Sequence, residues 1–330
     1  MQNRLKAEQY IEGVLSQDRI ILSKAITLVE SRLESDRKLA EKVLEGILSH
    51  TGKSLRIGIT GVPGVGKSTF IETFGKYLCN EGKKIAILAI DPSSQVSKGS
   101  IMGDKTRMET LSNDPNAFIR PSPSGASLGG VANKTRESIL LCEAAGFEII
   151  LVETVGVGQS ETIVKEMVDF FLLLMLAGAG DELQGIKRGI MEMADALVIT
   201  KSDGENLAKA KSAALEYKNA LHLYPLNENN WQIPVLTCSA LSNQGIAEIW
   251  ETMCLFDKKM LQSGYKIKNR QKQNIKWMHD AIKQKIEQQF YANPKINATL
   301  ASIEQQILVG EILPLVAAKN LLELQHASNS

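Results

Sequence analysis

The sequence has few cysteines, no excess of charge of either sign and no long apolar segment. Its four cysteines among 330 residues are too scattered for a CxxC zinc or redox pair, so they are predicted to be reduced structural thiols. Thirty-eight basic and 37 acidic residues leave a formal net charge of +1, which argues against nucleic acid as the main partner. The longest apolar run, residues 170–177, is far below the roughly 20 residues that span a bilayer. The sequence therefore predicts a protein with neither a nucleic-acid nor a membrane partner.

The first residues also lack the features of a targeting segment. Residues 1–8 contain no apolar core of a secretory signal. The early acids Glu8, Glu12 and Asp18 do not suit a transit peptide, which is poor in acidic residues. We therefore expect a cytoplasmic location.

Both ends of the chain show helical periodicity, and the segment between them contains short apolar runs. Residues 1–50 carry apolar positions at helical spacing, which predicts two or three helices. Between residues 51 and 258, unbroken apolar runs alternate with helical stretches, a pattern typical of parallel strands buried on both faces. The predicted strands are residues 55–60, 85–90, 147–152, 170–176, 196–200 and 234–238. The predicted fold is α/β, with a mostly parallel central sheet flanked by helices.

The third predicted region, residues 259–330, returns to helical character. Its helical stretches are residues 269–289 and 303–324. Their apolar side chains must be buried against the core of the same chain or against a second subunit. The sequence leaves both arrangements open.

The strongest motif follows the first predicted strand and precedes a helical stretch. It matches GxxxxGK[ST], the phosphate-binding loop of P-loop NTPases. Glycines let backbone N–H groups face the phosphates, Lys67 reaches the β- and γ-phosphates, and Ser68 is expected to bind Mg²⁺. The predicted nucleotide-binding residues here are Gly61, Val62, Pro63, Gly64, Val65, Gly66, Lys67, Ser68 and Thr69.

A second motif, Thr200-Lys201-Ser202-Asp203, bears on the identity of the base. It fits the [NT]KxD pattern of guanine-binding P-loop proteins. The Asp203 carboxylate can accept hydrogen bonds from both N1–H and the N2 amino group of guanine, a donor pair that adenine lacks. Ser239, Ala240 and Leu241 follow the next strand, where such proteins place a backbone contact to the guanine carbonyl. The motif favours GTP over ATP, although an aspartate that caps a helix is the alternative interpretation of Asp203.

Candidate magnesium ligands lie where predicted strands end. Asp91 follows one strand and Glu153 follows another, and carboxylate oxygens are the ligands that Mg²⁺ prefers. Asp104, in a polar loop downstream of Asp91, is a further candidate. Glu153 stands where many GTPases carry aspartate, so its contact with the metal can be mediated by water. Each acid alone could instead be a capping residue.

Taken together, these blocks resemble the MeaB/ArgK-type P-loop GTPases, also called methylmalonyl-CoA mutase-associated GTPases. The stretches ETVGVGQSE and GAGDELQGIKRG are the most specific part of this resemblance. The matching blocks are residues 61–68, 91–94, 99–108, 120–124, 128–131, 153–161, 178–189 and 200–203.

The resemblance implies a GTPase of the SIMIBI class that forms a homodimer through a C-terminal helical arm. It also implies an adenosylcobalamin-dependent acyl-CoA mutase as partner, with the nucleotide state controlling cofactor loading. Lys67, Asp91 and Lys187 are then the expected catalytic residues: Asp91 is similar to the acid that orients the attacking water. Residues 178–188 look like a switch loop in which Lys187 and Asp181 relay the nucleotide state.

The resemblance has one departure and leaves rival functions open. Thr200 stands where most relatives have asparagine, and we expect threonine still to hydrogen-bond the phosphate loop. An older name for the family describes a kinase of a lysine/arginine/ornithine transport system, and this function is kept as an alternative. A nickel-insertion GTPase is disfavoured because no His-rich tract or Cys/His pair is present.

Overall fold

A computed structural model describes residues 4–31, 33–90, 108–121, 128–154, 160–178, 188–223 and 228–329. Within them, one seven-stranded sheet has the order β3-β2-β4-β1-β5-β6-β7, and every neighbouring pair is parallel. The strands are β1 Leu55–Gly61, β2 Ile85–Ile90, β3 Ala117–Arg120, β4 Ile149–Thr154, β5 Phe170–Leu176, β6 Ala196–Thr200 and β7 Val235–Thr237. The α/β prediction is confirmed.

The six predicted strands are present, and a seventh was missed. β4 begins and ends two residues later than predicted, and β7 is shorter than predicted. The missed strand, β3, has only four residues, ends in Arg120 and lies at the edge of the sheet. So short a run with a charged end does not stand out from a turn in the sequence.

Helices flank the sheet and form both ends of the chain. Three helices precede β1, which agrees with the predicted two or three. The predicted helical stretch 303–324 is two helices, because Gly310 has a φ of +78° and Pro314 begins the second. The helices are Ala7–Leu15, Arg19–Glu30, Glu34–Ile47, Lys67–Asn80, Glu109–Ser112, Leu128–Ala144, Ser160–Lys165, Arg188–Met193, Leu207–Leu221, Ile246–Gln262, Tyr265–Ala292, Pro294–Leu308 and Pro314–Asn329.

The sheet is buried on both faces by two apolar clusters. Ile85 and Ile87 of β2 belong to the cluster that contains helices Lys67–Asn80 and Ile246–Gln262. Leu88 and its alternate neighbours on β2 point into the other cluster, which contains the three N-terminal helices and Leu128–Ala144. Alternation along a strand buried on both faces explains the unbroken apolar runs in the sequence.

Contacts between residues divide the chain into two units, residues 1–273 and 274–330. The N-terminal helices and the sheet belong to the first unit. In the second, helices Pro294–Leu308 and Pro314–Asn329 pack against each other. The predicted division at residues 50 and 258 stays a prediction. Within the described ranges, none of the helices combines the length and apolarity that a transmembrane helix needs.

A buried network of ion pairs lies at the amino-terminal edge of the sheet. Arg56 of β1 donates two hydrogen bonds to Glu143, both at 2.9 Å. Arg270 donates two to Asp169, at 2.7 and 2.6 Å, and two more to carbonyl oxygens of the segment leading into β1. Burial raises the pKa of Asp169, but the hydrogen bonds and charge of Arg270 outweigh it and hold that pKa below its ordinary value. The network fixes the start of helix Tyr265–Ala292 to the sheet.

Candidate nucleotide-binding site

The phosphate-loop motif forms a tight turn between β1 and helix Lys67–Asn80. Gly64 and Gly66 have φ values of +76° and +90°, in the left-handed region that favours glycine. At Gly61, a Cβ atom would lie 2.5 Å from the carbonyl oxygen of Leu174 on β5, so a side chain does not fit. The helix begins at Lys67, directly after this turn. Its first N–H groups and its dipole are therefore available to an anion.

The Lys67 ammonium group lies within the phosphate loop. Its Nζ atom donates to the carbonyl oxygen of Gly61 at 2.8 Å and to that of Val62 at 3.4 Å. Burial lowers the pKa of Lys67, and the negative charges of Glu153 and Glu161 oppose this shift. A partly buried cation close to free helical N–H groups is suited to the β- and γ-phosphates of a nucleotide.

Residues of the base motif also support the phosphate loop from β6. The hydroxyl of Thr200 donates to the carbonyl oxygen of Val65 at 2.8 Å and to that of Met175 at 3.2 Å. Threonine therefore makes the contact to the phosphate loop that the sequence predicts. Lys201, with a φ of +55°, donates from Nζ to the carbonyl oxygen of Gly64 at 2.9 Å. The two motifs, more than a hundred residues apart in the chain, meet as one structure.

Asp203 lies beside the loop that follows β7. It accepts a hydrogen bond from the hydroxyl of Ser239, which is completely buried. Asp203 precedes the short 3₁₀ helix Gly204–Asn206, but its side chain makes no capping hydrogen bond. Asp203 thus stands at the N-cap position without using its side chain as a cap. The Ser239 hydroxyl orients this carboxylate, whose oxygens can accept further hydrogen bonds from N–H groups.

The loop containing Ala240 and Leu241 is closed by backbone pairing. Ser239 and Gln244 exchange N–H···O bonds of 3.0 and 3.1 Å, and Ser242 N–H donates to the Ser239 hydroxyl at 3.2 Å. Among the residues that the structure describes, nothing accepts from the N–H groups of Ala240 or Leu241. Two adjacent N–H groups next to Asp203 can bind a carbonyl oxygen, such as that of guanine.

Two of the four predicted metal ligands are described. Ser68 is in the first turn of the helix after the phosphate loop. Glu153, 5% exposed, lies on β4 in register with Ile59 of β1 and Ala89 of β2. Both side chains carry hard oxygen atoms, the type of ligand that Mg²⁺ prefers, on elements adjacent to the phosphate loop. Asp91, Asp104 and Lys187 lie outside the described residues.

Two contacts near the site were not predicted. The hydroxyl of Thr73, on helix Lys67–Asn80, donates to the carbonyl oxygen of Ala240 at 3.0 Å. The hydroxyl of Thr154, at the end of β4, donates to the Thr60 hydroxyl at 2.8 Å. Thr73 belongs to no motif, and Thr154 lies in the matching block 153–161 but was assigned no contact there; the partners are 167 and 94 residues apart. Neither pairing leaves a local pattern in the sequence from which it could have been predicted.

Comparisons with known proteins find related GTPases over most of the chain. A protein-family model described as "Methylmalonyl Co-A mutase-associated GTPase MeaB" matches residues 22–295. "GTPase ArgK" of Escherichia coli is 46% identical over 89% of this chain and 88% of its own. "Methylmalonic aciduria type A homolog, mitochondrial" of Mus musculus is 47% identical over 94% of this chain and 77% of its own. A crystal structure of a protein described as "LAO/AO transport system kinase" matches with a TM-score of 0.77 and 37% identity, and 99% of each chain is covered.

Proposed function

The chain belongs to the family of methylmalonyl-CoA mutase-associated GTPases, and on that premise we propose that its GTPase cycle controls an acyl-CoA mutase. In this proposal, the nucleotide state gates the loading of adenosylcobalamin into the mutase and protects the loaded enzyme. Methylmalonyl-CoA mutase is the first candidate partner. The family match over residues 22–295 is the observation that carries the proposal.

The residues of the phosphate loop supply most of the hydrolysis chemistry. Phosphoryl transfer to water needs positioning and neutralisation of charge, and no covalent intermediate with the protein. The N–H groups at the start of helix Lys67–Asn80 and the Lys67 ammonium group hold the β- and γ-phosphates. Asp203 and the loop of Ser239, Ala240 and Leu241 hold the guanine. We assign the orientation of the attacking water to Asp91, and the relay of the nucleotide state to Lys187.

The proposed Mg²⁺ site uses Ser68 and Glu153, with Asp91 and Asp104 as the further ligands. The buried Glu153 carboxylate and the Ser68 hydroxyl fit this ion, because both are hard oxygen donors. When bound, Mg²⁺ neutralises charge that develops on the phosphate oxygens. Glu153 also acts electrostatically on Lys67, which supports a position close to the phosphates.

We also propose a homodimer formed through the C-terminal unit. Ile275, Met278, Ile282 and Ile286 of the long helix are each about half exposed. Their spacing of three or four residues aligns them as one apolar stripe, which a second subunit can bury. We expect sedimentation equilibrium of the full chain to give twice the chain mass, and Ile282→Glu to shift the mass toward that of one chain. A single chain mass for the unchanged protein would overturn this proposal.

Phosphate release with and without the mutase tests the proposed function. We expect slow release from GTP, none from ATP, and a severalfold faster rate when an adenosylcobalamin-dependent methylmalonyl-CoA mutase is added. The Lys67→Ala protein with the same mutase measures the background. A rate that is specific for GTP but unaffected by the mutase would exclude the proposed partner and leave the GTPase assignment intact.

The alternative function is phosphorylation of a transport protein. It is favoured by one observation: the matching crystal structure is that of a protein named "LAO/AO transport system kinase". A kinase transfers the labelled γ-phosphate of GTP or ATP to a protein, whereas a GTPase releases it to water. Label recovered on a protein substrate, with little free phosphate, would favour this alternative over the proposed function.

A further inference from the structure

Thr73 makes a hydrogen bond that differs from those of four other helical threonines in this protein. A threonine in a helix commonly donates its hydroxyl to the carbonyl four residues earlier. Thr27, Thr135, Thr252 and Thr299 do so, at 2.8 to 2.9 Å. Thr73 donates instead to the carbonyl oxygen of Ala240, at 3.0 Å. This side chain is therefore used to hold a second segment of the chain.

We propose that Thr73 is a positioning residue for guanine recognition: it fixes the peptide group that presents the Leu241 N–H group to the guanine carbonyl. The inference rests on the assignment of Asp203 and residues 239–241 as the base site. Thr73 does not touch the base in this proposal. It acts through the loop that does.

Because the peptide bond is planar, the contact of Thr73 with the Ala240 oxygen also affects the orientation of the next N–H group. The carbonyl oxygen of Ala240 and the N–H group of Leu241 belong to one peptide unit. In a trans peptide these two groups point in opposite directions. A hydrogen bond that directs the Ala240 oxygen toward helix Lys67–Asn80 therefore directs the Leu241 N–H group away from that helix. Without the bond, this peptide unit could rotate.

Contacts in the rest of the loop do not fix this peptide unit. The exchange between Ser239 and Gln244 and the bond from Ser242 N–H hold the two ends of the loop. The side chain of Leu241 is 83% exposed, so packing does not hold it. Within the part of the chain that the structure describes, the Thr73 hydroxyl makes the side-chain hydrogen bond to the peptide unit between Ala240 and Leu241.

The helix that carries Thr73 is a suitable anchor because the core fixes it. Phe70 and Phe74, on either side of Thr73, are fully buried and their rings stack with centroids 5.4 Å apart. The same helix begins with Lys67 and Ser68. Thr73 thereby links the position of the base loop to that of the phosphate-binding residues.

Binding of three nucleoside diphosphates to two variants tests the inference. GDP and IDP both carry the carbonyl at position 6, whereas 2-aminopurine riboside diphosphate lacks it, and none of the three is a substrate for hydrolysis. For Thr73→Val we expect GDP and IDP to bind about 2- to 10-fold more weakly, the range for one lost hydrogen bond. Affinity for the 2-aminopurine nucleotide should be unchanged, because it cannot make the contact. Thr73→Ser keeps the hydroxyl and should bind all three like the unchanged protein.

Thr252→Val is the matched control, because the Thr252 hydroxyl bonds within its own helix. It should leave all three affinities unchanged. Equal weakening of all three nucleotides in Thr73→Val would indicate a general disturbance of the helix and would overturn the inference. Unchanged GDP affinity in that variant would also overturn it. If the unchanged protein binds the 2-aminopurine nucleotide as tightly as GDP, the base-site assignment itself is wrong.

Discussion

Replacing Lys67 with alanine is expected to lower GTP hydrolysis by roughly 10²- to 10³-fold, the usual effect of removing one group that stabilises developing charge. The Lys67 ammonium group donates to two carbonyl oxygens of its own loop. A phosphate group competes well for this cation because a charged acceptor makes the stronger hydrogen bond. Alanine leaves the negative charge of the β- and γ-phosphates without this partner. Phosphate release from GTP measures the effect on turnover, and titration with GDP measures the effect on binding.

Lys76→Ala is the matched control for this experiment. Lys76 lies on the same helix and pairs with Asp114 at 2.9 Å, and its side chain is 37% exposed. Solvent screens this partly exposed ion pair, so its loss should disturb the helix little. We expect this variant to hydrolyse GTP at the unchanged rate. If Lys67→Ala and Lys76→Ala have equal rates, the role assigned to Lys67 is contradicted.

Replacing Arg270 with methionine is expected to lower the free energy of unfolding by about 3–5 kcal/mol, the usual cost of breaking a buried ion pair. The side chains of Arg270 and Asp169 are 14% and 3% exposed, and they share two hydrogen bonds. Methionine has a similar length but leaves the Asp169 carboxylate buried without its main partner. Equilibrium unfolding in urea at neutral pH measures the difference.

Lowering the pH should reduce the difference in the free energy of unfolding between Arg270→Met and the unchanged protein. Because Arg270 holds the pKa of Asp169 below its ordinary value, this carboxylate stabilises the fold above the carboxyl pKa of the unfolded chain. That stabilisation is lost as the pH falls through the folded-state pKa. The variant has already lost it, so the two unfolding free energies should approach each other below about pH 4. A difference that is constant from pH 7 to pH 3 would contradict the assigned role of the Asp169 charge.

Lys272→Met is the control for charge and position. Lys272 lies two residues further along the same helix and pairs with Glu228, and both side chains are more than half exposed. We expect it to leave the free energy of unfolding nearly unchanged, because solvent screens an exposed ion pair. An equal loss of stability in Lys272→Met and Arg270→Met would indicate that burial of the ion pair is not the cause.

Patterns among residues that are close in the sequence were sufficient to predict most strands of the sheet and the phosphate loop. Six apolar runs correspond to strands, because a strand buried on both faces requires apolar residues at successive positions. The glycines before Lys67 form a motif that can be read in the sequence, because Gly64 and Gly66 adopt left-handed backbone angles that favour glycine. β3 was missed because this edge strand has only four residues and its last residue, Arg120, is charged.

The sequence by itself determined the fold class, the phosphate loop and the residue types suited to guanine, because each depends on local spacing. Only the tertiary structure decided which distant groups meet. It joins Thr73 to Ala240, Arg56 to Glu143 and Arg270 to Asp169, three pairs separated by 167, 87 and 101 residues. Such pairs leave no periodic pattern, because a hydrogen bond or ion pair requires only that folding bring two compatible groups within about 3 Å.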